Sequence, residues 1–309
     1  MLAKILTLAL LVNGGFSHPS SKSSKSSKSS KSSKSSRSSK SSKSSKSSKC
    51  SDLQDEEPEA DILYADRCAY NNAVGAPNLR RALSNRNLQT ATSQCKTAQN
   101  TCSCYTEIPV SFVYDNEFCQ VSLDRGRTPQ EAINEILAKA SEFYEKDLCI
   151  KLTLANNPVS PDSCNANDSV FQNRDDICSR GGLIYEFRDY MENEGKEIFG
   201  FEDDDTILFQ FLSGYRPSGG AVGCAFIGSA CGGSYNYGVN YGGYDNDNVT
   251  AVILSHEIGH NLDAGHLDTT ENYIMRPYVS GDPIGFAPQS INVISAHIED
   301  SDCGNIVYN

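Results

Sequence analysis

Residues 256–266 read HEIGHNLDAGH and contain three of the five histidines in the chain. If this segment is helical, His256 and His260 lie four residues apart on one face, so both imidazoles can reach one metal ion. Glu257 lies one position round the helix, beside the water molecule that such an ion would hold. The spacing therefore predicts a metal site with its own general base.

His266 follows six residues after His260, beyond the point where the helix must stop. A turn over residues 262–265 would return its imidazole to the metal as a third nitrogen ligand. Three neutral protein ligands leave a fourth position open, which is typical of a catalytic rather than a structural zinc site. We predict that these three histidines bind Zn²⁺, and that Glu257 takes a proton from the attacking water and passes it to the leaving amine.

The HEIGHNLxxxH pattern resembles the motif of the metzincin zinc peptidases and, within them, the HExGHNLGxxHD motif of the adamalysin or reprolysin branch. Two positions differ from that branch. Asp263 stands where the branch has Gly, at a position whose backbone geometry Gly adopts freely and Asp only with modest strain. Leu267, rather than Asp, follows His266.

The resemblance covers about residues 107–309. Residues 273–277 (YIMRP) resemble the Met-turn of the family, with Met275 under the zinc site. Residues 220–231 resemble its glycine-rich segment and edge strand, and residues 286–290 resemble the lead into its C-terminal helix. The resemblance also implies a disulfide between Cys231 and Cys303.

By the same resemblance, a protein or peptide substrate would lie extended along the edge strand near Ala221 and Val222. Tyr278 and Val279, which follow the Met-turn, would wall a pocket for one of its side chains. The implied function is that of a secreted zinc metalloendopeptidase, and we expect it to be a monomer. The alternative is a cell-wall or matrix protein in which the peptidase domain is weak or inactive because of strain at Asp263.

The elements that must position these residues begin near residue 108. A mixed α/β domain is indicated by two kinds of signal. Apolar residues alternate as in a strand, and Thr128-Pro129 and Pro288 mark the starts of helices. We predict an α/β (α+β) metzincin-like fold: a twisted mixed sheet, two long helices and a small C-terminal subdomain. The predicted strands are 108–114, 150–154, 206–212 and the edge strand 221–227, and the predicted helices are 129–147, 183–196, 248–260 and 288–300.

The amino-terminal part of the chain is organised differently. Residues 1–17 have a charged start, a short apolar middle and small residues at the end, which predicts a signal peptide and a secreted, extracellular protein. That apolar stretch is too short to span a bilayer, and no other run approaches the length of a transmembrane segment.

Residues 18–49 form a Ser/Lys tract in which a basic residue recurs at every third position from Lys22 to Lys49. We predict that the tract is disordered, because it has no apolar residue to bury. In an extended chain a three-residue period would line the basic side chains along one side, which predicts a polyanion, cell wall or silica as a partner of residues 22–49; the alternative is a solvated spacer. The tract also resembles the lysine clusters of silaffin-type proteins. All 39 acidic residues follow Cys50, so residues 51–309 carry a net charge of −23, which excludes nucleic acid as their partner.

Residues 50–106 are predicted to be a propeptide or a small Cys-bearing region, with residues 107–309 as the peptidase domain. All 12 cysteines lie at or after Cys50, and behind a signal peptide they indicate disulfides. Cleavage after Arg86 would separate Cys50 and Cys68 from the other ten cysteines, so each piece would have an even number. A boundary near Glu107 would instead leave an odd number of cysteines on each side. Cys68 is either a disulfide partner or a thiol that caps the zinc in a zymogen.

Two weaker patterns remain. The acidic run at residues 202–205 either binds Ca²⁺ or forms a solvated turn. Asn167 and Asn248 each open a glycosylation sequon, and only Asn167 is expected to carry a glycan because Asn248 opens the helix of the active site.

Overall fold

The computed structural model describes residues 63–64, 95–96, 101–167, 169–201, 206–218, 220–232, 235–301 and 303–308, all of which belong to the unit Cys50–Asn309. The predicted signal peptide, the Ser/Lys tract, Cys68 and the acidic run at residues 202–205 lie outside these residues.

The described chain alternates strands and helices. In order, its elements are β1 (Leu63–Tyr64), β2 (Cys104–Tyr114), α1 (Asn116–Asp124), α2 (Pro129–Leu148), β3 (Ile150–Leu154), α3 (Leu183–Tyr190), α4 (Lys196–Phe199), β4 (Leu208–Ser213), β5 (Gly223–Ala225), β6 (Tyr237–Tyr241), α5 (Asp247–Asn261), β7 (Tyr278–Val279), α6 (Pro288–Asp300) and β8 (Asn305–Tyr308). A π-helical turn, Met191–Gly195, joins α3 to α4.

The main sheet is mixed, as predicted, with the order β3-β2-β4-β6-β5. The pairs β2–β3, β2–β4 and β4–β6 are parallel, while β5 runs antiparallel to β6 as the last described strand on its side. The short strand β8 pairs antiparallel with the start of β2. The central strand β4 is buried along its whole length, because helices and loops cover both faces of the sheet.

Helix α2 begins where the sequence predicts. Thr128 forms a capping box with Glu131, and Pro129 occupies the first turn, where its missing N–H costs nothing. The apolar stripe of α2 packs into one core cluster together with the inner residues of β2 and α5. The hydroxyl of Tyr144 on α2 donates to the carbonyl of Ser255 on α5 at 2.7 Å, which fixes the two long helices against each other.

The opposite face of the sheet carries a second cluster, which is rich in aromatic rings. Phe171 and Phe187 pack there against Phe211 of β4, with ring centroids 4.7 and 5.3 Å from it. The sheet is therefore held between two apolar layers, as expected for a mixed α/β domain.

Several boundaries differ from the sequence prediction. Strand β4 runs over Leu208–Ser213 instead of 206–212, and α3 ends at Tyr190 because the predicted helix 183–196 continues as the π-helical turn. The edge strand β5 is limited to Gly223–Ala225 instead of 221–227. Helix α5 is capped by Asn246, whose side chain accepts from the backbone N–H of Asn248, so Asn248 lies inside the first turn. Strand β2 begins at Cys104, before the predicted start of the peptidase domain at residue 107, which itself stays a prediction.

The ten cysteines from Cys95 onward pair among themselves. The pairing confirms the Cys231–Cys303 disulfide that the family resemblance implies. The other disulfides are Cys95–Cys104, Cys102–Cys149, Cys119–Cys164 and Cys178–Cys224. Within the described residues, no helix combines the length and the apolar character needed to cross a membrane.

Candidate active site

Helix α5 carries His256, Glu257 and His260 in its last two turns, where nearly every residue is buried. Its first turn is anchored by Asp247, which accepts hydrogen bonds from both terminal nitrogens of the Arg127 guanidinium. The helix is therefore fixed at its start by an ion pair and near its middle by the bond from Tyr144 to Ser255.

The chain reverses directly after the helix. Asp263 has a φ of 73°, in the left-handed region, as predicted for a position where the family has Gly. The backbone N–H groups of Asp263 and Ala264 donate to the carbonyls of His260 and Gly259, each at 2.9 Å. This closed turn carries the chain back toward the helix, so that His266 can reach the other two histidines.

The structure brings the three predicted ligands together. The Nε2 atom of His266 lies 3.1 Å from that of His256 and 3.2 Å from that of His260. Within the described residues, this is the one group of three potential metal-ligating side chains, and their ligand atoms all lie within 4.8 Å of one another. His256 and His260 are buried, and His266 is partly exposed.

The other ring nitrogens of the two helical histidines are occupied by backbone carbonyls. Nδ1 of His256 lies 2.7 Å from the oxygen of Ile274, and Nδ1 of His260 lies 2.7 Å from the oxygen of Ala264. A carbonyl oxygen can only accept, so each Nδ1 carries the proton and each Nε2 is left with its lone pair. Such partners orient a ligand and raise its basicity toward a metal.

Burial keeps all three imidazoles neutral. It lowers the pKa of His256 well below 6.5, with further lowering from the neighbouring histidines. Burial also lowers the pKa of His260 to about 3 and the pKa of His266 to about 4. Neutral imidazoles are the form that binds metals, and three of them with one open position suit a catalytic zinc ion.

Glu257 is fully buried and lies directly against the edge strand. A Cβ atom built on Gly223 of β5 would overlap its carboxylate, so the strand can approach this closely only because residue 223 has no side chain. The predicted general base and the predicted substrate strand are thus in contact. Sequence reasoning missed Gly223 as a site residue, although a glycine in a strand indicates close approach.

Met275 is fully buried beside the helix, as the Met-turn resemblance implies. A Cβ on Gly259 would lie only 2.5 Å from its sulfur atom. The carbonyl of Met275 accepts from the backbone N–H of Leu267 at 2.9 Å, next to His266. The turn therefore contacts the helix through its sulfur atom and the segment of the third histidine through its backbone.

The four predicted pocket residues divide into two groups. Val222 and Val279 belong to one buried apolar cluster that also contains Val252 and Ile253 of α5. Tyr278 is half-buried on β7, and Ala221 packs instead against the aromatic cluster on the other face of the sheet. Val252 and Ile253 were missed, although their spacing of four and three residues before His256 places them on its side of the helix.

Comparison with known proteins agrees with this site. The family model described as Metallo-peptidase family M12 matches residues 106–294. No curated protein matches the sequence.

Two solved structures have a distant likeness to the chain. Metalloproteinase-II from Bacteroides fragilis is 16% identical with a TM-score of 0.43, over 64% of this chain and 54% of that one. A chaperone-substrate complex is 17% identical with a TM-score of 0.43, over 66% of this chain and 36% of that one. Both likenesses are too distant to bear on function. The family match spans more than half of the sequence and includes all three histidines, so the chain belongs to metallo-peptidase family M12, whose members are zinc-dependent.

Proposed function

We propose that this protein is a secreted zinc-dependent metalloendopeptidase in which His256, His260 and His266 hold the ion. The observation that carries the proposal is the convergence of three histidine Nε2 atoms, two of which, in His256 and His260, are left unprotonated because their Nδ1 atoms face backbone carbonyls. This donor set fits zinc because it supplies three neutral nitrogen ligands and leaves a position for water and substrate.

A zinc ion bound there would supply a Lewis acid that polarises the scissile carbonyl and makes water a better nucleophile at neutral pH. Glu257 takes the proton of the attacking water and gives it to the leaving amine. Its contact with Gly223 keeps this carboxylate next to the chain that is to be cut.

The substrate lies extended along the outer edge of β5 and pairs with it through main-chain hydrogen bonds. Support comes from the position of β5 as the last described strand on its side of the sheet. The cluster of Val222 and Val279 accepts an apolar side chain of the substrate, while Tyr278 borders it.

The test uses the purified full chain before and after limited proteolysis, with zinc content and casein cleavage as readouts. We expect about one zinc per chain, cleavage that phenanthroline abolishes, and a loss on the order of 10²–10⁴ in rate for Glu257→Gln with zinc retained. An activity that survives Glu257→Gln would contradict the proposed role of that residue. Zinc without any cleavage would favour the weak or inactive wall protein.

Residues 50–86 are proposed to keep the enzyme latent as a propeptide. Leu63 and Tyr64 of β1 pair antiparallel with Val279 and Tyr278 of β7, beside the proposed substrate pocket. A segment that lies before Arg86 therefore occupies one wall of the proposed cleft. We expect the uncut chain to be less active than the chain cut after Arg86; equal rates would remove the latency proposal.

Secretion is supported by the five disulfides, which form in oxidising compartments. The Ser/Lys tract at residues 22–49 is proposed to bind a polyanion such as a cell wall or silica. Deleting residues 20–49 tests this role, because unaltered retention on the wall or on silica would exclude it.

A further inference from the structure

Three buried amide side chains join the centre of the sheet to the end of the active-site helix α5. Asn240 of β6 donates from Nδ2 to Oε1 of Gln210 at 2.9 Å, and Gln210 donates from Nε2 to Oδ1 of Asn261 at 2.9 Å. All three residues are at most 2% exposed. Asn261 is the residue that directly follows His260.

Backbone carbonyls at the Asn261 end fix the direction of the hydrogen bonds between the three amides. Nδ2 of Asn261 lies 3.1 Å from the carbonyl oxygens of both Phe226 and Tyr237, and 3.0 Å from Oγ of Ser229. Since a carbonyl can only accept, the amino group of Asn261 must face them and its oxygen must face Gln210. Gln210 therefore has to donate to Asn261, while its own oxygen accepts from Asn240.

The neighbouring strand leaves space for the Gln210 side chain because it has a glycine at the point of contact. A Cβ atom on Gly238, in the neighbouring strand β6, would overlap the Gln210 amide. An apolar side chain at residue 210 would leave the oxygen of Asn261 buried without the donor that Gln210 supplies, which is unfavourable because a buried acceptor then loses its hydrogen bond. Residue 210 therefore has to supply a hydrogen-bond donor as well as fill the space.

Asn261 connects the helix to the segment that follows the edge strand β5. Phe226, whose carbonyl it holds, is the residue after β5. The backbone repeats the connection, because Gly228 donates to the carbonyl of His260 and Ala230 to that of Asn261, each at 2.9 Å. The end of α5 and the end of β5 are therefore tied at one place, through Asn261.

We propose that Gln210 is a positioning residue of the peptidase: by orienting Asn261, it sets the distance between the substrate strand β5 and the helix that carries Glu257 and His260. The inference rests on the proposed function. The hydrogen-bond partners of Gln210 are Asn261 and Asn240, and it acts on the site through Asn261.

The test compares Gln210→Met, which keeps the length of the side chain but removes the donor, with Gln210→Glu, which keeps the shape. A protonated carboxyl can donate to Asn261 and accept from Asn240, whereas an ionised one cannot donate. Ile298→Val, which shortens a buried side chain in the core of α6, is the control for a loss of stability alone. All variants are made in the full chain and confirmed to be folded by thermal unfolding.

For Gln210→Met we expect kcat/KM to fall and the rate of zinc release to a chelator to rise, each by about tenfold. For Gln210→Glu, the kcat/KM of the variant divided by that of the wild type should increase as the pH is lowered from about 8 to about 6. The reason is that burial favours the protonated carboxyl, which can donate to Asn261. Ile298→Val should leave both quantities near the wild-type values.

The proposal is overturned if Gln210→Met, folded and zinc-loaded, keeps both kcat/KM and the zinc release rate, or if Gln210→Glu shows a ratio that does not change with pH. Zinc release is measured without turnover, so it still tests Gln210 if the wild-type chain binds zinc but cleaves nothing. A wild-type chain that binds zinc but cleaves nothing would refute the proposed function and leave the role of Gln210 to be decided by zinc release.

Discussion

The sulfur atom of Met275 occupies the space where a side chain on Gly259 would lie, since a Cβ there would come within 2.5 Å of it. Gly259 is the fourth residue of the HEIGH segment, between Glu257 and His260. The turn below the three histidines can therefore contact the helix only because this position is glycine.

Gly259→Ala should lower the free energy of unfolding by about 1–3 kcal/mol, because the added methyl group overpacks against Met275. Alanine favours a helix over glycine by about 1 kcal/mol, so a net loss has to come from the sulfur contact. Gly265→Ala is the matched control, since a Cβ there has no atom within 4 Å. Urea unfolding of both variants checks the prediction, and equal midpoints would contradict it.

Gly223→Ala should reduce kcat while the zinc content stays at one per chain. The new methyl group would displace the Glu257 carboxylate or push β5 away from it, and neither change touches a metal ligand. Gly232→Ala is the control, because the nearest atoms to a Cβ there are 3.6 and 3.8 Å away. A Gly223→Ala enzyme with wild-type kcat would show that β5 does not constrain Glu257.

Asp263→Gly should leave zinc binding and cleavage nearly unchanged and raise the free energy of unfolding by about 1 kcal/mol or less, because glycine adopts the left-handed conformation without strain. The three histidines already converge with Asp263 at a φ of 73°. Asp263→Val should be destabilised, since β-branched residues resist that conformation. A large gain of activity in Asp263→Gly would instead support an enzyme held inactive by strain.

Asp115 gives the fold a dependence on pH that can be measured. Burial raises the pKa of its carboxyl to about 6, against opposing hydrogen bonds from Gly214, Ser213 and Phe118. Between pH about 4 and about 6 the folded chain therefore binds a proton that the unfolded chain releases, so this group makes stability fall as the pH rises through that window.

Asp115→Asn should remove this dependence. Its remaining oxygen can accept from the backbone N–H groups of Phe118 and Gly214, as Oδ1 does now at 2.7 and 2.9 Å. Relative to the variant, the wild type should lose up to about 3 kcal/mol on going from pH 4 to pH 7. The difference between the two proteins cancels the titration of the histidines, and parallel stability curves would refute the prediction.

The sequence predicted the parts of the fold that carry local signals. Pro129 and Pro288 marked the starts of α2 and α6 correctly, and the spacing of the histidines anticipated a cluster that the folded chain forms. The strand β6 was missed because Tyr237–Tyr241 lies in a glycine-rich stretch. Its glycine at residue 238 is required by Gln210 on another strand, and that contact cannot be recognised from neighbours in the sequence.

The cap residue of α5 and the packing of the predicted pocket residues could not be determined from the sequence either. Asn246 and Asn248 are chemically identical candidates for the cap of α5, and only the folded backbone selects Asn246. Ala221 and Val222 are adjacent in the sequence, yet they pack into different clusters because successive residues near the edge strand point to opposite faces of the sheet.

The disulfides Cys95–Cys104 and Cys102–Cys149 overlap along the chain, and this overlap determines what a protease can detach. A cut at Arg86 yields two pieces that share no sulfur bridge with one another, since every cysteine from Cys95 onward is bonded within the larger piece. A nick between Cys95 and Cys102 leaves both fragments covalently joined. On a gel, such a nick would become visible only after a reducing agent is added.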